Sequence, residues 1–387
     1  MSDIVSDIVD KKTNKTDRKK GRNNRNKTGN NRTYSNTQVM LSHAFASYIG
    51  SGSPAFSRDH LDNIETNIHE ALVTWPALTE EGWELVWGPV SVELLPISIF
   101  DINLMYVARN IKDPHRYVIA IRGTNPFSLP NWMLEDFLVA KQKNWLFAPG
   151  SFRPKISLAT FNGLYALTTA VAEKGTWGVG DTLAELIKKG IEAADQPVEI
   201  NITGHSLGGA MAPAVGLWLA DTQASWDPEG KATLAVYAFA GPSPGNEQFK
   251  THFHEMFQDR YHGVVNHNDV VTKGWEYQST QSIPNTYQPT IKPDLFVRAF
   301  FKGLAFPLNW NEYSRLTPGN ESFEGEIITD LCSFWPQAIY QHTVAYLKQF
   351  ELLPTGFSWE DIAKWSWREV IAETRQQCLK VDSNNSD

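Results

Sequence analysis

The chain has 387 residues, 42% hydrophobic and 20% charged, with a formal net charge of -8 at pH 7. That is enough chain for a sizeable core, and one large α/β domain with tails fits the length. The composition excludes a small disulfide-built fold, since only Cys332 and Cys378 are present and at most one bridge can join them, and it excludes a spanning helix, since no stretch reaches the ~18 apolar residues required.

In chain order, residues 1–37 come first. Lys11 to Arg32 carries ten Lys or Arg against the single acid Asp17. Such a basic, Asn-rich stretch buries too little apolar surface to offset its ordering entropy, so it is expected to be a disordered tail. The sharper alternative is electrostatic contact with anionic lipid or nucleic acid. Nothing in the rest of the chain supports nucleic-acid chemistry, and no nucleic-acid partner is expected. The first ten residues lack an apolar signal core. The expected location is therefore the cytoplasm or the periphery of a membrane, with another export route open.

Residues 38–378 are expected to form a single domain, followed by a disordered C-terminus over 379–387. Glu84 to Ile97 and Asn103 to Thr124 alternate as strands do, with Leu104–Arg109 and Arg116–Ile121 reading as a hairpin. Helical patterns follow at about 160–175 and 181–194, the second with Asp181 as expected N-cap. A buried strand at Val198–Thr203, a helix to Ala220 and strands at Leu234–Ala240 and Tyr261–Asn266 complete an alternation that implies a mostly parallel sheet. The segment 272–333 reads as an excursion beyond the sheet, and helices are expected at His342–Phe350 and from Ser358 to about Gln376.

The run Thr203-Gly204-His205-Ser206-Leu207-Gly208-Gly209-Ala210 joins the Val198–Thr203 strand to the following helix. A serine between two glycines in that context is the sequence form of a nucleophile elbow. A serine hydroxyl needs an imidazole to take its proton and an acid to orient the imidazole. Asp269 lies in the loop at the carboxyl end of the Tyr261–Asn266 strand, where catalytic groups of open α/β sheets gather; its rival Asp259 precedes that strand. Among ten histidines, His43, His60, His69 and His115 precede the elbow and His205 is locked inside it, so structural or surface roles are expected. His252 and His254 fall on a polar helix and His262 within a strand. His267 competes, but two residues from Asp269 on one loop it reaches aspartate and serine together only awkwardly. His342 is the expected base. The Leu207 N–H at the helix start and Thr124, after Ile121-Arg122-Gly123, are the expected oxyanion donors.

Over roughly residues 85–350 the chain resembles the class 3 lipases of fungal type. The motifs are Ile121-Arg122-Gly123-Thr124, Asn131-Trp132-Met133-Leu134-Glu135-Asp136, Gly204 to Ala210, Phe239-Ala240-Gly241-Pro242, Asn266-His267-Asn268-Asp269-Val270-Val271 and His342-Thr343. The resemblance implies an α/β-hydrolase fold, ester hydrolysis without metal or organic cofactor, Ser206, Asp269 and His342 as a triad, and Thr124 with Leu207 as the oxyanion hole. It also implies a lid at about 125–141. There Leu129, Trp132, Met133 and Phe137 follow the spacing of one helical face, after Ser128 as cap and Pro130 near the start. The departure is Phe161-Asn162-Gly163-Leu164, where family members show His-X-Gly-Phe. Leu295–Phe306 adds a second aromatic patch, expected in the core, with acyl-chain binding as the alternative.

These readings converge on a carboxylic ester hydrolase, first of all a triacylglycerol lipase, whose partner is a lipid or ester at an oil–water or membrane interface. Phospholipase A1, a short-chain esterase, or a non-hydrolytic signalling protein on a lipase scaffold are the alternatives.

Overall fold

Alternation decides which side chains meet across the central sheet. Leu104, Tyr106, Ala108, Val118 and Ala120 enter one core cluster, while their neighbours Met105, Val107, Ile119 and Ile121 enter another, so the hairpin is buried on both faces. The computed structural model describes residues 33–48, 58–93, 102–123, 141–148, 153–173 and 176–353. Residues 1–32 of the expected tail, all but the last residue of the expected lid, and the helix expected from Ser358 lie outside these residues; residues 33–37, also expected in the tail, are described and lead into a helix from Asn36.

The sheet has six strands: β1 (Trp83–Glu93), β2 (Ile102–Asn110), β3 (Arg116–Ile121), β6 (Val198–His205), β7 (Ala232–Phe239) and β8 (Tyr261–Val264), in that spatial order. The first three pair antiparallel and the last three continue parallel from β3. A small antiparallel pair, β4 (Gln142–Asn144) and β5 (Lys155–Ser157), stands apart. A mainly parallel sheet with helices on both faces is the α/β-hydrolase arrangement.

Three N-terminal helices precede the sheet: α1 (Asn36–Ala46), α2 (Arg58–Thr74) and α3 (Pro76–Glu81). The sequence reading anticipated no helix here. From Val39 to Ala46 every residue of α1 is buried, so it shows no amphipathic stripe, and its start is set by a capping box between Ser35 and Gln38. The Thr203 hydroxyl on β6 donates to the Met40 carbonyl at 3.0 Å, fastening α1 beside the elbow strand. Next come α4 (Leu158–Thr169) and α5 (Leu183–Ala193). The α5 cap is Thr182, in a capping box with Glu185, and not Asp181, which pairs with Lys189 at 2.6 Å instead.

After β6 the chain forms α6 (Leu207–Asp221) and, beyond β7, α7 (Glu247–Phe257). His252 lies on α7, the helix expected to be polar, and is buried against Asp221, at 2.9 Å. The excursion carries α8 (Tyr277–Ser282) and α9 (Leu295–Ala305), followed by α10 (Phe334–His342) and α11 (Val344–Gln349). His342 therefore ends a helix, where the sequence reading had it begin one. Thr343, with φ -126° and ψ -74°, breaks the run. Cys332 is disulfide-bonded, and Cys378 lies outside the described residues.

His43, on α1, makes a pH-dependent contribution to stability. Its ring is fully buried, edge-on to Trp83 with centroids 4.7 Å apart, and its Nδ1 lies 3.0 Å from the Tyr106 hydroxyl. Burial, helped by the charge of Arg116, lowers its pKa to about 3 from an ordinary 6.5. The folded state thus resists a proton that the unfolded state takes up. Stability from this group is intact above pH 6.5 and falls as pH drops from 6.5 towards 3, by on the order of 3 kcal/mol at pH 4. Thermal melts from pH 7 to pH 4 should show a steeper loss for the native chain than for His43→Gln.

Candidate active site

The elbow forms because β6 and α6 meet at a single residue. Ser206 sits between them at φ 63° and ψ -128°, a conformation that costs a non-glycine residue on the order of 1–3 kcal/mol. The flanking glycines permit the crossing. A β-carbon on Gly204 would lie 2.2 Å from the Gly208 carbonyl oxygen, and one on Gly208 would lie 2.4 Å from that of Ile121. The Ser206 N–H donates to the Phe239 carbonyl at 3.0 Å, which ties the turn to β7.

Three elements converge there. His342 Nε2 is 2.8 Å from Ser206 Oγ, and His342 Nδ1 is 2.9 Å from Asp269 Oδ2. His342 and Asp269 are completely buried, and Ser206 nearly so. Beside the carboxylate only Nδ1–H is favourable, which leaves Nε2 free to accept the serine proton. Asp269 accepts two further bonds, at Oδ1 from the Val271 N–H (2.9 Å) and at Oδ2 from the Tyr346 hydroxyl (3.0 Å). Asn266 joins its loop to the helix that carries His342: its Nδ2 donates to the Gln341 carbonyl at 2.9 Å, while its Oδ1 accepts from Asn268 and Gly325.

His205 is a strut under this cluster. Its Nε2 lies 2.7 Å from the His342 carbonyl oxygen, which can only accept, so Nε2 carries the proton. The Tyr48 hydroxyl donates to the His205 carbonyl at 2.9 Å and lies 3.2 Å from its Nδ1. Burial, with His342 adjacent, holds the His205 pKa well below the usual histidine range, so the ring stays neutral. The same Tyr48 hydroxyl reaches Gly123 and Ser206, and burial raises its pKa.

The competitors are placed elsewhere. His267 is exposed, with its backbone N–H bonded to Phe323, and Asp259 is exposed in the turn before β8. The Leu207 N–H lies in the first turn of α6, where a helix leaves its donors without intrahelical carbonyls, and faces Gly123. Thr124, Leu129, Trp132, Met133 and Phe137 lie outside the described residues. Tyr48 and Tyr346 escaped the sequence reading. Tyr48 is 158 positions before Ser206 and carries no local signal, whereas Tyr346 stands four positions after His342, and on the single helix expected from His342 to Phe350 that spacing could have suggested it.

The chain matches the family model for lipase (class 3) over residues 118–276. The crystal structure of M37 lipase is 30% identical in sequence and superposes with a TM-score of 0.78, over 88% of this chain and 100% of that one. The chain belongs to the class 3 lipase family. Two curated relatives are from plants. Phospholipase A1-Igamma2, chloroplastic, of Arabidopsis thaliana is 26% identical over 203 residues, 50% of this chain and 37% of the relative. Triacylglycerol lipase OBL1 of Ricinus communis is 27% identical over 189 residues, 42% of this chain and 35% of the relative. The matched part of this class 3 lipase thus spans little more than a third of either plant protein. No helix among its described residues is long and apolar enough to cross a membrane.

Tyr346→Phe removes one of the two donors on Asp269 Oδ2 and leaves the Asn266 N–H, now 3.0 Å from the hydroxyl, without its acceptor. A hydrogen bond to a buried charge contributes about 1.5–3 kcal/mol. The expected result is a roughly tenfold lower kcat with KM unchanged and a modestly lower melting temperature, read by steady-state kinetics on a soluble ester and by calorimetry.

Proposed function

We propose that this chain is a serine ester hydrolase acting on lipid acyl esters, through Ser206, His342 and Asp269. The observation that carries the reading is the continuous chain Ser206 Oγ to His342 Nε2 and His342 Nδ1 to Asp269 Oδ2, at 2.8 and 2.9 Å, with the serine on a strained elbow. Ser206 Oγ attacks the ester carbonyl while His342 Nε2 takes its proton, and Asp269 stabilises the resulting imidazolium. The tetrahedral oxyanion is received by the Leu207 N–H and by Thr124, each such donor being worth roughly 3–4 kcal/mol. His342 then returns the proton to the leaving alcohol. Water, activated by the same imidazole, releases the fatty acid from the acyl-enzyme.

Family membership supports a lipid ester as substrate. Acylglycerol hydrolysis is the first reading, and the phospholipase A1 among the relatives supports a second, acyl release from the sn-1 position of a phospholipid. The helix face of Leu129, Trp132, Met133 and Phe137 would serve as the lid, shielding the serine in water and turning outward on lipid. Labelling with a fluorophosphonate, expected for the native chain and absent in Ser206→Ala, tests the nucleophile. Parallel assays on emulsified acylglycerols and on phospholipid vesicles decide between the two substrates, and absence of both labelling and turnover would support the non-hydrolytic scaffold.

A further inference from the structure

The α9 helix in the excursion is built with two unlike faces. Val297, Phe301 and Ala305 point inward, where Val297 and Phe301 join a cluster with Val270, Val271, Phe334 and Ala338. Val270 follows Asp269, and Phe334 and Ala338 lie on the helix that ends at His342. The helix is thus packed directly behind the catalytic loop and the base. Its other face is in solvent and is not polar. Leu295 is 84% exposed and Phe296 66%, and the turn after the helix presents Phe306 at 67% and Trp310 at 68%. Four of the eleven exposed large hydrophobics among the described residues fall within these sixteen positions, so this is a patch and not the usual scatter.

Spacing makes the patch continuous. Leu295, Ala299 and Phe306 stand at i, i+4 and i+11, along one side of the helix and into the turn after it, and Phe306 meets Trp310 edge to face with centroids 4.9 Å apart. A β-carbon on Gly303 would meet nothing within 4 Å, so the backbone itself is open there. Arg298 and Lys302 are exposed along one border of this face, and the helix carries no acid. The neighbouring acid Asp294 is engaged as N-cap to the Val297 N–H at 2.7 Å, and Glu312 lies beyond Trp310. A helix with a net charge of +2 and aromatic tips is set on a chain of net charge -8. Apolar side chains bordered by cations match a surface whose headgroups are anionic and whose interior is hydrocarbon.

We propose that α9 and the turn ending at Trp310 dock this protein on an anionic phospholipid surface, independently of the lid. Leu295, Phe296, Phe306 and Trp310 enter the headgroup boundary, and Arg298 and Lys302 pair with lipid phosphates. The inward face of the same helix then holds the catalytic loop close to that surface.

The test uses the full chain in a Ser206→Ala background, so that no lipid is consumed, with vesicles of phosphatidylglycerol or phosphatidylcholine carrying brominated acyl chains. Quenching of tryptophan emission reports insertion, and the basic tail, which has no tryptophan, is silent in it. Quenching is expected on phosphatidylglycerol, at least fivefold smaller in Trp310→Phe. Phe296→Ser with Phe306→Ser should weaken binding at least tenfold. Arg298→Gln with Lys302→Gln should weaken it about 30-fold at low salt and flatten its salt dependence, each cation contributing about 1 kcal/mol. Circular dichroism and turnover of a soluble ester, with Ser206 restored, should be unchanged in every variant.

Quenching retained in Trp310→Phe but lost in Trp132→Phe would place the contact at the lid and overturn the proposal. Equal binding to both lipids, unaffected by the two Gln substitutions, would overturn its anionic part. A dimer in sedimentation that Trp310→Ser makes monomeric would assign the patch to a second copy of the chain instead.

Discussion

Ser206→Ala is expected to lower kcat by roughly five to six orders of magnitude while leaving the melting temperature within about a degree of the native value. The loss is large because triad members act as a unit, and removing the nucleophile forfeits everything the base and acid contribute. The fold is spared because alanine keeps the β-carbon and inherits the same backbone, φ 63° and ψ -128°, with its strain unchanged. Ser206→Gly separates the two properties. It should be equally inactive yet more stable, by on the order of 1 kcal/mol, since glycine adopts that conformation without steric cost. Single-turnover assays with an activated ester, paired with calorimetry, measure both. A kcat within tenfold of the native value in either variant would remove Ser206 as nucleophile.

How much of this was legible in the sequence depended on whether the signal was local. The elbow was legible because close backbone crossings require glycine, and Gly204 and Gly208 stand where a β-carbon would strike a carbonyl at 2.2–2.4 Å. The sheet was legible because its strands are apolar runs bounded by turns. Asp269 could be ranked above Asp259 from its place at the carboxyl end of β8. The supports of the site were not legible in the same way. Tyr48 approaches Ser206 from the turn just after α1, a helix whose residues are almost all buried, so there is neither periodic stripe nor motif to announce it. His342 ends α10 because Thr343 interrupts the helix, and nothing in His342-Thr343-Val344 signals that break. The α9 helix was expected in the core or at an acyl site; its buried half fits the first expectation, and its exposed aromatics show that one apolar helix can face two environments.

Asp269→Asn should cost about 10⁴-fold in kcat with little change in KM, and the reason lies in which oxygen accepts which bond. Oδ1 is held by the Val271 N–H, a donor that only an oxygen can satisfy. An asparagine therefore keeps its carbonyl at that position and turns its amide Nδ2 towards His342 Nδ1, where Oδ2 now stands 2.9 Å away. Two donors cannot share that contact, so the ring must present a bare Nδ1 and move its proton to Nε2. Nε2–H then points at Ser206 Oγ, and the base is occupied before the reaction starts. The corresponding substitution in a serine protease, also about 10⁴-fold, acts through the same tautomer. The Tyr346 hydroxyl sharpens the prediction for this chain. It donates to Oδ2 at 3.0 Å and would have to rotate and accept from that amide instead, so adding Tyr346→Phe to Asp269→Asn, which also strips the Asn266 N–H of its acceptor, should restore neither stability nor activity. A loss of less than a hundredfold in the single variant would mean that Asp269 does not set the tautomer of His342.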